Sequence, residues 1–454
     1  MTEAGSPPVY RPVTPSDVRD LPAVDGRLDA LDGVRAVASF CVLFYHVAAQ
    51  TGVSLREGFV SGLIARGDIG VPIFFLLSGL LLYRPWARQV IEGTPAPGTT
   101  GYLWRRALRI LPAYWLVVVV AMVLWAPGAA GDPLKWLPLL LLGQNYVTTP
   151  WWEGASPVGL GQMWSLSVEM SFYIALPVIA VLLRAVAGRG ASPSARAVRL
   201  LFCVGALAST SFVWTILTHV PHHRPELGLW LPRLLVYFCA GMALAVVSLW
   251  ARAEPDPEAP VRRLTRGIRE SWFTCWVIAA FVLAIAATPI AGGRLFELQD
   301  LWTDVFEIVL YTAFVLAFLS PVALLTAGPS PLRSLLGNRV MRYLGRISYG
   351  VFLWQFVVIV AWYELTGQAA FTGDLVTTLV VCTVLTVAIA DLTHRLVEGP
   401  AQRLYRLLPQ GRDREQEQER ERDQGRNREQ ERDQDRKQDQ DQDREQKQDR
   451  ARQA

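Results

Sequence analysis

Long apolar segments recur through most of the chain, and they restrict its fold more than any other feature of the sequence. Between residues 28 and 397 they run for roughly 17 to 25 residues each, the length that an α-helix needs to cross the hydrocarbon core of a bilayer. The overall apolar share of 52% would not decide this, because soluble domains also reach about half. The distribution of these residues therefore predicts an all-α, polytopic bundle of transmembrane helices.

Ten of these segments are predicted to span the membrane. They cover residues 28–49, 67–82, a third segment that ends near residue 124, 163–184, 198–218, 230–249, 272–290, 302–325, 347–363 and 375–397. One further segment, residues 133–146, is too short to cross comfortably and contains Pro138. We predict that this segment is re-entrant or interfacial.

Arginine is distributed unevenly among the loops that connect these spans. Cytoplasmic loops of membrane proteins carry an excess of Lys and Arg. If the amino terminus is cytoplasmic and residues 133–146 do not cross, every inside loop is more basic than both of its outside neighbours. Counting that segment as a span breaks the alternation. We therefore predict a plasma-membrane protein with both termini cytoplasmic.

The two ends of the chain differ in composition from the apolar region. Residues 1–27 are rich in Pro and small polar residues, which predicts a disordered cytoplasmic leader. Residues 28–406 form the predicted membrane domain. Residues 411–454 are a charged low-complexity tail of Arg, Glu, Gln and Asp, and no second catalytic domain is expected after the last span.

Neither a metal site nor a nucleic-acid partner is predicted. The net charge of +4 is small, and the five cysteines lie inside apolar runs without metal-ligand spacing. His219, His222 and His223 resemble a metal cluster only loosely, because no acidic or Cys partner lies at ligand spacing. A solvated loop explains these three residues better.

The first span carries ionisable residues that are costly to place in hydrocarbon. Arg35 and His46 are eleven residues apart, so they lie on one helix face, roughly 16 Å apart along the axis. Asp32 and Arg35 fall in the predicted inner half, whereas His46 and Glu169 of the fourth span fall in the outer half. An Arg that snorkels and a His that a neighbouring helix satisfies would explain the pair equally well.

Three arginines crowd the entry of the third span, at the predicted cytoplasmic surface. They are Arg105, Arg106 and Arg109, and their guanidinium groups would suit a ligand that carries phosphate. Ordinary positive-inside anchoring would explain any one of them. A His and a carboxylate inside the membrane suit either general base catalysis on a hydroxyl or the proton relay of a transporter, and the residue types do not separate these two.

Six segments, in order, resemble the integral membrane acyltransferase 3 family over residues 28–406. They are LDGVRAVASFCVLFYHV, GDIGVPIFFLLSGLLL, WRRALRILPAYW, WSLSVEMSFYIALP, LGRISYGVFLWQ and HRLVEGPAQRL. The first contains the family's Arg, ten residues, His spacing. The third and fourth are similar to its Arg-x-x-Arg and Trp-Ser-Leu-x-x-Glu segments.

This resemblance implies transfer of an acyl group, often acetyl, to a hydroxyl of a sugar or sugar-like acceptor. The donor would be acyl-coenzyme A, a co-substrate at the cytoplasmic side rather than a bound cofactor. His46 takes the position of the catalytic histidine and Arg35 that of its partner arginine. Arg106 and Arg109 take the positions proposed to hold the phosphates of coenzyme A, and Glu169 is expected to orient the imidazole or the acceptor. Further candidates for substrate or donor binding are Asp32, Ser78, Arg105, Trp164 and Ser165.

The chain departs from the family pattern at two places. Met170 follows Glu169 where the family usually has two adjacent carboxylates. Gln355 stands where a late Leu-Trp-His would place a second histidine, so His46 is left as the candidate base. Direct transfer and an acyl-histidine intermediate both fit the sequence.

Three questions stay open at this point. The acceptor could be a cell-envelope polysaccharide or a glycosylated metabolite such as a macrolide. The rival class is a proton-coupled transporter that uses His46 and Glu169 as its relay. The oligomeric state is undetermined.

Overall fold

The computed structural model describes residues 21–23, 29–129, 131–154, 156–291, 299–326 and 328–404. The predicted tail and nearly all of the predicted leader lie outside these residues. The helices, in chain order, are α1 (Asp29–Gln50), α2 (Phe59–Ala65), α3 (Gly70–Glu92), α4 (Thr99–Trp125), α5 (Pro133–Leu140), α6 (Trp164–Ala187), α7 (Pro193–His219), α8 (Leu231–Ala253), α9 (Pro260–Glu270), α10 (Trp272–Ala286), α11 (Leu301–Ala323), α12 (Pro331–Leu336), α13 (Arg339–Thr366), α14 (Leu375–Thr393) and α15 (Gly399–Arg403). A π-helical turn, His394–Glu398, joins the last two.

The helical bundle has the membrane-spanning character that the sequence predicts. Within the described residues, nine helical stretches are long and apolar enough to cross a bilayer. A tenth span results if α9 and α10, which meet at a bend of 74°, are counted together. The eight-residue α5 is not one of the candidate spans. This agrees with the prediction that the segment around it does not cross.

The seventh predicted span differs from its expected form. We predicted a helix over residues 272–290, but α10 ends at Ala286 and has 15 residues. Its length of about 23 Å is short of the roughly 30 Å of hydrocarbon. The preceding α9 carries four arginines and turns away from the axis of α10, because such a charged segment is unfavourable in hydrocarbon.

Two pairs of helices approach closely at glycines. A Cβ atom on Gly345 of α13 would lie 2.0 Å from the backbone oxygen of Asp32 in α1. In the second pair, a Cβ on Gly79 of α3 would lie 2.0 Å from the backbone oxygen of Phe238 in α8, and Gly241 meets α3 in the same way. Small residues let transmembrane helices pack backbone to backbone, and these contacts bring α1 against α13 and α3 against α8.

α3 runs antiparallel to α1 and begins about half-way along it. Gly67 lies against Cys41 and Tyr45 of α1, and Gly70 lies against Ala38. Ser78 is eight residues further along α3, which places it roughly 12 Å closer to the Asp29 end of α1. Ser78 therefore lies near the level of Ala30, in the half of α1 that also carries Arg35.

α6 begins inside the bundle rather than at its surface. The turn Gly161–Met163 precedes this helix, and the Gln162 side-chain amide donates to the backbone carbonyls of Phe352 (3.2 Å) and Leu353 (2.8 Å). Both carbonyls belong to the middle of α13. The first turns of α6 are consequently deeper than a helix that starts at the membrane surface would place them.

Candidate active site

A cavity of about 270 Å³ lies between α1, α3, α4, α6 and α13. Apolar side chains of these helices form part of its wall. Its charged and hydroxyl-bearing lining consists of Arg35, Ser78, Arg106, Arg109, Ser165, Glu169, Tyr173, Ser348 and Tyr349. Binding sites for small molecules commonly combine apolar walls with a few convergent polar groups, so we take this cavity as part of the candidate site.

Three guanidinium groups converge on this cavity. Arg106 and Arg109 are three residues apart on α4 and therefore share a helix face. Arg35 reaches the cavity from α1 and interacts electrostatically with both of them. Asp32 pairs with Arg35 at 3.1 Å and compensates part of the positive charge. The three positive charges of the guanidinium groups repel one another, and a multiply charged anion bound between them would relieve this repulsion.

Glu169 lies in the same cavity as the arginines. Its Oε1 accepts hydrogen bonds from the hydroxyls of Ser78 and Tyr173. The sequence analysis placed Glu169 in the half of the membrane opposite to Arg35, and this depth assignment was wrong. The reason is that α6 begins inside the bundle, which carries Glu169 down to the level of Ser78.

His46 lies on α1 beyond this cavity and has neighbours of its own. Its Nδ1 is 3.3 Å from Oε1 of Gln355, and its ring packs edge to face on Phe356 with centroids 5.1 Å apart. The imidazole of His46 does not form part of the wall of the cavity. Glu169 was predicted to orient the imidazole or the acceptor; the side chain in contact with the imidazole is Gln355, and a role of Glu169 towards the acceptor stays a prediction.

The cavity and the imidazole lie at two heights along the same pair of helices. Arg35 and His46 both belong to α1, about three turns apart. Phe352 lines the cavity, and Phe356, which contacts His46, follows it by four residues on the same face of α13. A substrate that reaches from the arginines to the imidazole would pass along these two helix faces.

Comparison with known proteins assigns the chain to a family. A family model described as an acyltransferase domain matches residues 28–395. The chain belongs to the acyltransferase 3 family. Its candidate spans are those of a multi-pass membrane protein.

Curated proteins with O-acetyltransferase in their names are similar to the chain over most of its length. It is 25% identical over 387 residues to the peptidoglycan O-acetyltransferase OatA of Listeria monocytogenes, covering 82% of this chain and 56% of that protein. It is 26% identical over 404 residues to YrhL of Bacillus subtilis, a putative peptidoglycan O-acetyltransferase, covering 82% and 54%. The chain thus spans about half the length of the curated relatives it matches. No solved structure matches it significantly.

The cavity gathers six of the ten site residues that the sequence analysis named. They are Arg35, Ser78, Arg106, Arg109, Ser165 and Glu169. Asp32 does not line the cavity itself but forms an ion pair with Arg35, which does. Arg105 and Trp164 do not line the cavity in the described part of the chain. The backbone carbonyl of Trp164 instead accepts a hydrogen bond from Asn145 at 2.9 Å.

Sequence reasoning missed three hydroxyl-bearing residues of this acyltransferase 3 cavity. Tyr173 follows Glu169 by four residues, so helical spacing could have placed both on one face. Ser348 and Tyr349 lie in a segment that resembles the family, but the resemblance gave no reason to select them. The Tyr349 hydroxyl donates to the carbonyl of Ile110 at 2.9 Å and ties α13 to α4.

A second polar cluster lies in the half of the bundle that contains Gln50. Arg233 pairs with Asp304 at 2.9 Å and with Glu307 at 3.3 Å, and Nε2 of His219 is 3.6 Å from Asp304. No group of three or more metal-binding side chains with the arrangement of a metal site occurs among the residues that the structure describes. His219 instead belongs to a polar network that joins α7, α8 and α11.

Proposed function

We propose that this acyltransferase is a plasma-membrane O-acyltransferase that moves an acyl group, acetyl first among them, from acyl-coenzyme A to a hydroxyl of a sugar-containing acceptor. The observation that carries the proposal is the convergence of Arg35, Arg106 and Arg109 on one cavity, on the same helix faces that lead to His46. Relatives with names that include O-acetyltransferase support the acetyl group.

The arginine cavity suits the donor. Guanidinium groups bind phosphate oxygens in bidentate geometry, and the phosphates of coenzyme A would neutralise the three mutually repelling charges. Glu169 holds the hydroxyls of Ser78 and Tyr173 and so shapes the wall next to the arginines. The arginine-rich loops support a cytoplasmic position for this end of the bundle, where the donor is found.

His46 supplies the base, about three helical turns along α1 from Arg35. The imidazole removes the proton of the acceptor hydroxyl as its oxygen attacks the thioester carbon. The new C–O bond forms while the C–S bond breaks, and the proton passes on to the departing thiolate. The flexible arm of the donor covers the roughly 16 Å of helix rise between the arginines and His46.

The names of the relatives favour a cell-envelope polysaccharide as the acceptor, since two of them contain the word peptidoglycan. A glycosylated metabolite is the alternative, and the two acceptors can be separated by experiment. Mass spectrometry of envelope glycans and of secreted metabolites from a deletion strain should show the loss of one acyl mass from one of these fractions. Unchanged acylation in both fractions would contradict the proposal.

The role of His46 can be tested by measuring the transfer of labelled acetyl groups. His46→Ala should lower labelled-acetyl transfer from acetyl-coenzyme A by on the order of 10²–10⁴, since it removes the base. His222→Ala is the matched control, because it removes an exposed imidazole from a loop. With both variants inserted at equal levels, near-normal transfer by His46→Ala would rule out His46 as the base.

A further inference from the structure

The side chain of Gln355 is buried completely between His46 and its own helix. It is 0% exposed. One end of the amide lies 3.3 Å from Nδ1 of His46, and the other end donates to the carbonyl of Phe352 at 3.1 Å. Both ends of the amide are therefore engaged, and neither contact is with a charged group.

The carbonyl of Phe352 determines which way this amide points. A carbonyl oxygen can only accept, so the NH₂ end of Gln355 must face Phe352. The opposite orientation would place two oxygens against each other and is disfavoured. The same carbonyl also accepts a hydrogen bond from Gln162 at 3.2 Å, so both side-chain amides present their NH₂ ends to it. The amide oxygen of Gln355 therefore faces His46.

This orientation determines where His46 carries its proton. The amide oxygen of Gln355 is an acceptor only, so Nδ1 of His46 must be the donor in their contact. In a neutral imidazole the other nitrogen, Nε2, then holds the free lone pair. We propose that Gln355 is a positioning residue that fixes the Nδ1–H tautomer of His46 and leaves Nε2 to accept the proton of the acceptor hydroxyl. This inference rests on the proposed function of His46.

The surroundings of the imidazole contain few groups that could replace Gln355. On α1 the neighbouring titratable side chain is Tyr45, whose ring centroid is 5.1 Å from that of His46. Tyr45 in turn interacts electrostatically with Asp68, Arg66 and Glu307. On α13 the contacts are Gln355 and Phe356. An uncharged amide thus orients the ring without adding charge beside it.

Two variants of Gln355 test this assignment in purified full-length protein. Gln355→Glu keeps an acceptor oxygen but adds a negative charge, which favours the imidazolium form of His46. The base works only when neutral, so the acidic limb of the kcat/KM profile should move to higher pH by about one unit or more. Gln355→Leu removes the acceptor. It should lower kcat by on the order of 10² with little change in the KM for acetyl-coenzyme A.

Gln144→Glu is the matched control, because Gln144 is also buried and its amide donates to the carbonyl of Met163 rather than to His46. Its acidic limb should stay where that of the parent protein lies. If Gln355→Glu left the limb unmoved, or Gln355→Leu kept kcat, the assignment of Gln355 would be overturned even with His46→Ala inactive. If His46→Ala itself kept transfer, the proposed base would fail first.

Discussion

Arg105 and Arg106 are neighbours in the sequence, yet their side chains serve different surroundings. Successive residues of a helix point about 100° apart. Arg106 and Arg109 therefore face the cavity together, while Arg105 does not line it. The three arginines that the sequence presents as one cluster are divided by the helix into a pair and a single residue.

This division predicts different kinetics for two substitutions of the same kind. Arg106→Ala should raise the KM for acyl-coenzyme A by roughly ten-fold or more with a smaller effect on kcat, as expected for a lost charged contact to the bound donor. Arg105→Ala should raise it much less. Titrating the donor at a fixed acceptor concentration measures both. Equal changes in the two variants would mean that the cavity is not where the donor binds.

Single residues also show how far the sequence could predict the site. The Arg106–Arg109 pair follows from helical spacing, and the Arg35–His46 spacing follows from the first span alone. The contact between His46 and Gln355 joins residues 309 positions apart. No local pattern encodes such a contact, since it depends on the register of α1 against α13. Sequence reasoning therefore treated Gln355 only as a missing histidine.

At the scale of helices, the contact between α3 and α8 is set by two glycines that face each other's backbones. Gly79 and Gly241 each approach a backbone oxygen of the opposite helix so closely that a Cβ would lie 2.0 Å from it. The neighbouring residues Ser78 and Gly79 thus have different structural roles. The glycine brings α8 against α3, and the serine donates to Glu169 in the cavity.

Gly79→Ala should therefore separate the two helices and destabilise the protein. Overpacking of a tight contact typically costs 1–3 kcal/mol, and here the clash is with backbone that cannot rotate away. Gly205→Ala in α7 is the control, because nothing lies within 4 Å of its Cβ position. Thermal unfolding in detergent, followed by fluorescence-detected size exclusion, should show a lower midpoint for Gly79→Ala only. An unchanged midpoint would contradict the close approach.

Helix boundaries were predicted best where hydrophobicity alone marks them. The first span was predicted at residues 28–49, and α1 covers Asp29–Gln50. The depth of α6 was not predictable in this way, because Gln162 anchors its start to α13 through tertiary hydrogen bonds. Hydropathy gives the length of a helix but not the level at which it begins.

For the whole molecule, the uneven distribution of arginine among the loops is the basis of the predicted orientation in the membrane. The predicted inside loops are more basic than their neighbours only if the segment around α5 returns to the side from which it entered. The structure gives α5 eight residues, about 12 Å of helix, which is less than half of the hydrocarbon thickness.

Reporter fusions can test this orientation directly. Fusions after Tyr146 and after Glu153 should both report the outside, and a fusion after Arg189 should report the inside, because one candidate span, Gly161–Ala187, lies between the last two positions. Alkaline phosphatase and green fluorescent protein give opposite signals at each point. An inside signal at Glu153 would make the segment a true span and reverse every later loop.

The placement of Arg35 and His46 on one unbroken helix limits how this chain can diverge. Inserting a single residue between them would rotate the imidazole by about 100° and turn it away from Gln355. Insertions or deletions of three or four residues keep both side chains on one face while changing their separation by about one turn, or roughly 5 Å. The distance between these two side chains can therefore change only in steps of a helical turn if both are to stay on one face.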